Sequence, residues 1–170
     1  MDEPPFRFEI REAEVLDASA LAMLRVASEL ERYPERAEHS GEAFVQRSIA
    51  YFQTQLGRTP TVVHAWLATV DATVVGSAVL TLATALPRPM DMGETLDGRI
   101  RSVYVVPHVR RRGIASALVR AAIDRARVCN VSRLTLGASP DGRPLYEKFG
   151  FVVNRDEMIL APREGPGVSG

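Results

Sequence analysis

The run from Val103 to Val119, VYVVPHVRRRGIASALV, constrains this chain more than any other stretch. Ile100 to Val106 is β-branched and aromatic, the composition of a strand, and Pro107, which lacks an N–H, ends it. Arg110, Arg111, Arg112 and Gly113 follow as a tight basic turn. Ile114, Ala117, Leu118, Ala121 and Ala122 then fall on one face of a helix, with Ser116, Arg120, Asp124 and Arg127 opposite. Leu134, Leu136 and Ala138 alternate with Arg133, Thr135 and Gly137 as the next strand. Strand, helix, strand in that order predicts a parallel pair joined by a crossover.

The start of that helix is where chemistry is expected. Helix starts leave backbone N–H groups unpaired and carry the positive end of the macrodipole. Gly113 lets the backbone come close to a ligand, and three arginines add positive charge. An isolated basic triplet is usually a solvated turn. Placed between a strand and the N-terminus of an amphipathic helix, it predicts a phosphate or pyrophosphate site. The dinucleotide fingerprint G-x-G-x-x-G and the phosphate-loop lysine pattern are both absent, so a nicotinamide or nucleoside-triphosphate enzyme has no support.

Upstream, Phe6, Phe8 and Ile10 alternate with charged residues as a first strand. Asp17 is placed to cap a helix with the stripe Leu21, Leu24, Ala27 and Leu30. Ser40 is placed to open a second helix through Phe44, Ile49 and Phe52. Thr61 to Val70 and Thr73 to Leu86, separated by Asp71-Ala72, read as an antiparallel hairpin. Downstream, Pro144 to Phe149 is a short helix ended by Gly150, and Phe151 to Leu160 the last strand. The expected fold is therefore α/β (α+β): a mixed, mostly antiparallel sheet flanked by helices, with one parallel βαβ crossover. One domain is expected over 1–160, with 161–170, rich in Pro and Gly, a flexible tail.

Composition narrows the function classes. The 170 residues are 46 % hydrophobic, enough for one core. Lys+Arg 21 against Asp+Glu 21 leaves no net charge to recruit nucleic acid. The longest nearly apolar run, Val74 to Leu86, is too short to cross a bilayer, so no membrane role is expected. The single cysteine, Cys129, excludes an internal disulfide and any cysteine-rich zinc site, and fits a cytoplasmic setting. His39, His64 and His108 have no metal-ligand spacing.

Two motifs make a resemblance specific. V-x-P-x-x-R-x-x-G-x-A, over Val105, Pro107, Arg110, Gly113 and Ala115, resembles the acyl-CoA signature of the GNAT superfamily of N-acyltransferases. Leu145-Tyr146-Glu147-Lys148-Phe149-Gly150-Phe151 resembles that family's late L-Y-E-K-x-G-F element. The resemblance implies a cofactor cleft where the strand of Val103 splays from that of Leu136. It implies that backbone amides from Arg111 through Arg112, Gly113, Ile114 and Ala115 to Ser116 hold the CoA pyrophosphate, with Arg110 in the same turn. Val103, Tyr104 and Val105 would contact the pantetheine arm, a backbone N–H near Val105 would polarise the thioester carbonyl, and Tyr146 would protonate the departing thiolate. The implied activity is direct transfer of an acetyl group from acetyl-CoA to a primary amine of a small molecule or peptide, releasing CoA, without a metal. A homodimer is compatible with it.

Ser139 stands where many members have Asn, seven residues before the tyrosine. The strand before the signature carries no carboxylate base, and Glu94, Asp97 and Glu157 are the nearest candidates, beside a water chain. That gap keeps open a non-catalytic acyl-CoA-binding or sensing module. Glu29, Glu31, Glu35 and Glu38 border the expected acceptor cleft, either to attract a cationic amine or as a solvated turn with Arg32 and Arg36.

Overall fold

A computed structural model describes residues 6–89, 93–154 and 158. The chain forms two compact units, Met1–Gly137 and Ala138–Gly170. In the first unit five strands, β1 (Glu9–Glu12), β2 (Val63–Val70), β3 (Thr73–Thr84), β4 (Leu96–Val105) and β5 (Val131–Leu136), form one sheet in sequence order. β1 to β4 are antiparallel, and β4 and β5 are parallel. The helices of this unit are α1 (Ala18–Arg32), α2 (Glu42–Leu56) and α3 (Ile114–Val128).

Period-two alternation distributes the helices over the two faces. Val63, Ala65 and Leu67 of β2 and Val79 of β3 join Leu21, Ala22 and Leu24 of α1 and Phe52 of α2 in one buried cluster. The intervening residues face α3: an ideal Cβ on Gly76 would lie 3.4 Å from Leu118 Cδ1. Ile114, Leu118, Val119 and Ala122 are the fully buried face of α3. Ala117 and Ala121, expected on that face, are half-buried at its edge.

Local chemistry accounts for the connections. Asp71 and Ala72 both have positive φ, 47° and 64°, as a two-residue hairpin turn with the twist of its strands requires. Asp17 precedes α1 but does not cap it with its side chain. Its carboxylate instead accepts from the Glu14 N–H at 2.8 Å and pairs with Arg11 at 2.7 Å. The second helix begins one turn later than Ser40, whose hydroxyl donates to the Arg36 carbonyl.

β3 and β4 lose step once. Ser77 pairs with Tyr104 but Val79 with Arg101, so three residues of β4 span two of β3. Ser102 sits in this bulge with φ 49°. Its carbonyl accepts from the Ser77 hydroxyl at 3.4 Å, and its own hydroxyl accepts from Arg25 of α1 at 2.9 Å.

In the second unit α4 (Arg143–Lys148) ends at Gly150, φ 88°. The Gly150 N–H donates to Glu147 O and the Phe151 N–H to Tyr146 O, while the Phe151 and Tyr146 rings meet edge to face at 6.2 Å. This is a Schellman stop with its apolar contact. The strand expected over 151–160 is not formed at 151–154, because this stop turns the chain there, and 155–157, 159 and 160 lie outside the described residues, as does the tail 161–170.

The bulge gives a stability test. A Cβ on Gly76 would meet the Tyr104 carbonyl oxygen at 2.8 Å, and backbone cannot rotate away as a side chain can. Gly76→Ala is expected to cost about 1–3 kcal/mol in urea unfolding. Gly41→Ala, where a Cβ meets nothing within 4 Å, should stay within about 0.5 kcal/mol of wild type. Equal stabilities would refute the tight β3–β4 approach at the bulge.

Candidate active site

The expected cradle forms within the first unit. β4 delivers Val103, Tyr104 and Val105 to a turn of one 3₁₀ helix, Pro107–Val109, which leads to α3. Arg111 has φ 64°, and Gly113, the residue before α3, has φ 87°. Arginine tolerates that conformation at a cost of about 1–3 kcal/mol, glycine at none. A Cβ on Gly113 would point into open space, with nothing within 4 Å. The Ala117 N–H donates to Gly113 O at 3.0 Å, so the N–H groups of Ile114, Ala115 and Ser116 precede the first intrahelical bond. Ile114 is buried and anchors this first turn in the core, while Ala115 and Ser116 are half-buried. An open groove of about 670 Å³ starts at Gly113 and Ser116 and runs along α3 past Arg120 to Asp124, with Ile10 and Trp66 as its other wall. The open backbone, the positive helix end and the room before it suit an anion such as a pyrophosphate.

β4 also outruns its parallel neighbour. The last pair is Ile100 with Leu136, and Arg101 to Val105 continue beyond it without a β5 partner. The separation of Val103 from the strand of Leu136, expected from the resemblance, is thus present as an end of pairing.

The three arginines have different surroundings. Arg110 is committed to the protein: its Nε donates to Val105 O at 2.7 Å and its Nη2 to Glu31 Oε2 at 2.6 Å, with the guanidinium over the Tyr104 ring at 5.4 Å. It braces the turn against β4 and α1. Arg112 lies over the Phe6 ring at 4.4 Å. Arg111 is exposed. The Arg110 hydrogen bond and charge lower the Glu31 pKa, against a smaller opposing effect of burial. Burial, then the Glu31 charge, raises that of the Tyr104 phenol.

Sequence reasoning missed Glu31 as the partner of Arg110, seventy-nine residues away; its only trace was a carboxylate among four. Glu29 is likewise taken, by Arg25 at 3.5 Å and Arg36 at 3.4 Å, so these two do not form a free acidic funnel. Asp97 is held by Arg88 at 2.6 Å. At about 3.3 Å per strand residue it lies about 20 Å from Val103, too far to act as base there, and Glu94 is farther still along the chain. Glu157 lies outside the described residues.

Tyr146 belongs to the second unit. Its ring packs on Phe151, and a Cβ on Gly142 would lie 3.3 Å from its Cε2. Ser139 ends up as a turn residue, its hydroxyl accepting from the Gly142 N–H at 3.2 Å.

The model of the acetyltransferase (GNAT) family matches residues 23–151. No protein of curated function matches the sequence. Solved structures share the fold. A predicted acetyltransferase from Clostridium acetobutylicum, solved with acetyl-CoA, has 23 % identity and a TM-score of 0.77 over 91 % of this chain and 96 % of its own. A GCN5-related N-acetyltransferase from Ralstonia eutropha has 21 % identity and a TM-score of 0.75 over 91 % and 99 %. A ribosomal-protein-alanine N-acetyltransferase from Brucella melitensis has 25 % identity and a TM-score of 0.63 over 91 % and 99 %. Among the described residues no helix is long and apolar enough to cross a membrane, and no cluster of three His, Cys, Asp or Glu residues is placed to hold a metal ion.

The Glu31–Arg110 pair sets a pH expectation. A carboxylate whose pKa is lowered on folding contributes stability that is complete above its unfolded value and lost as pH falls through the folded one. Both partners are partly exposed, so the contribution is at most about 1 kcal/mol. Thermal unfolding of wild type and Glu31→Gln should differ at neutral pH and converge below the ordinary carboxylate range. A gap unchanged by acidification would reject the ion pair.

Proposed function

We propose that this chain, which belongs to the acetyltransferase (GNAT) family, transfers an acetyl group from acetyl-CoA directly to a primary amine of a small molecule or peptide. In this reading residues 1–160 act as one acetyltransferase domain in the cytoplasm. The observation that carries it is the start of α3, where left-handed Gly113 faces open space ahead of three backbone N–H groups without intrahelical acceptors. This cradle follows directly from a strand end that has lost its parallel partner.

Acetyl-CoA supplies the activated acyl carbon. The N–H groups from Arg111 to Ser116 bind its pyrophosphate, and Ile114 keeps that turn in register with the core. Arg112 adds charge from its place over Phe6. Arg110 acts on the cradle by bracing it. Val103, Tyr104 and Val105 line the pantetheine arm, and a backbone N–H near Val105 polarises the thioester carbonyl. The amine attacks as its free base, forming a C–N bond as the C–S bond breaks. Its proton passes to water, since Glu31, paired and lowered in pKa, is a poor base. The Tyr146 hydroxyl gives its proton to the departing thiolate.

Gly113→Val fills the open space before the cradle and should weaken acetyl-CoA binding by at least about tenfold, about 1.4 kcal/mol. Arg111→Ala should cost less, because a side-chain charge in water is screened. Calorimetric titration of folded variants at two salt concentrations decides, and a greater loss from Arg111→Ala would put charge ahead of backbone.

Tyr146→Phe retains the ring that packs on Phe151 and removes only the hydroxyl. Turnover should fall about a hundredfold, the low end for general acid catalysis, with acetyl-CoA affinity kept. Thiol release across a broad amine panel tests the whole reading. Tight acetyl-CoA binding without thiol release on any amine would favour a non-catalytic acyl-CoA-binding module, and wild-type turnover in the Phe variant would reject the acid role.

A further inference from the structure

The chain as a whole is electrically neutral, yet its arginines converge beside the bulge of β4. Arg101 pairs with Val79, a residue of the α1/α2 cluster, and Arg99 pairs with Thr81 two places on, so both project on the α1/α2 face of the sheet. Arg101 Nε donates to Thr81 Oγ1 at 3.4 Å. Arg25 reaches the same place from α1, donating to the Ser102 hydroxyl at 2.9 Å. Arg99 reaches the far side, its Nη2 lying 3.9 Å from where a Cβ on Gly137 would be, at the point where the β4–β5 pairing ends. The three side chains therefore line the mouth of the gap into which β4 continues alone.

Their charges act on one another. Burial is the largest influence lowering the pKa of Arg101, followed by the charge of Arg99, with Arg25 adding to it. Tyr51 of α2, half exposed, opposes the shift. An arginine stays protonated through such a shift, so the repulsion persists at neutral pH. Of the carboxylates nearby, Glu29 pairs with Arg25 at 3.5 Å but shares its charge with Arg36, and Asp97 is engaged by Arg88. Placing like charges together in partly desolvated surroundings costs free energy that an anionic ligand recovers, and arginine forks suit carboxylate and phosphate oxygens.

Resting on the acetyl-transfer reading, we propose that Arg25, Arg99 and Arg101 form the acceptor subsite, and that the acceptor is an amine carrying a carboxylate or phosphate group. The anion docks on the arginines on the α1/α2 face, which leaves its amine toward the open end of β4. A purely cationic amine is repelled from the same mouth. This reverses the expectation drawn from Glu29 and Glu31, both of which arginines neutralise.

Matched pairs test it: glutamate with its diamide, and phosphoethanolamine with ethanolamine, each assayed by thiol release from acetyl-CoA. At least one anionic member is expected to have a kcat/KM at least about tenfold above its neutral partner, and the pair that responds tells carboxylate from phosphate. Arg101→Gln should erase that preference through KM, and R101E should turn it toward a diamine. Neutral members used as well as anionic ones, with thiol released, would overturn the acceptor proposal and leave acetyl transfer standing. A second measurement does not depend on turnover: calorimetry of the CoA-loaded protein with 2-hydroxyglutarate and with glycerol phosphate, which have no amine to acetylate. Binding lost in both Arg101→Gln and Arg25→Gln supports the subsite even if no amine releases thiol, in which case the acetyl-transfer reading alone falls. Absence of binding by both anions in wild type overturns the subsite.

Discussion

Three residues of β4 cross the space that two residues of β3 occupy, and much of the site's arrangement depends on that mismatch. The extra residue places both Arg101 and Tyr104 on the α1/α2 face, although a regular strand would put residues three apart on opposite faces. It requires Ser102 to adopt φ 49°, at a cost of about 1–3 kcal/mol. Hydrogen bonds from Ser77 and Arg25 to Ser102 tie that conformation to β3 and to α1. Gly76, whose missing side chain leaves room for the Tyr104 carbonyl, is the complementary adjustment on β3.

Beyond the bulge the strand end and the start of α3 act as one piece. Arg110 joins them, holding the Val105 carbonyl with one nitrogen and Glu31 with another. Ile114 and Leu118 fix the other end of the turn in the core. A pyrophosphate cradle made of backbone groups needs such rigidity, because its donors cannot reorient as side chains do. The arginine in the acyl-CoA signature thus has a structural use here: its charge is spent on α1 and β4, leaving the helix end to meet the ligand.

The two charged sets on this unit separate two tasks. The cradle meets its anion with backbone N–H groups. The mouth at Arg25, Arg99 and Arg101 has guanidinium groups on three backbone segments whose charges oppose one another. An overall charge of zero conceals this, because Glu31 and Asp97 are drawn into pairs elsewhere.

Local sequence was sufficient for the elements that local physics controls. The α3 stripe, the turn at Asp71-Ala72, the crossover from Val105 through Gly113 to Leu136 and the stop at Gly150 follow from periodicity, missing donors and positive φ, all properties of neighbouring residues. The two motifs carried the family, which the match over residues 23–151 bears out. What only the tertiary structure decided are the partnerships between distant segments. Asp17 binds Arg11 rather than capping α1 by its side chain, Glu31 finds Arg110, Arg25 finds Ser102, and the bulge sets Arg101 beside Arg99 and Tyr51. A charged side chain has many possible partners along a chain and no periodicity to announce one; which it meets is set by how strands register and helices cross, and these are settled by the packing of the whole core.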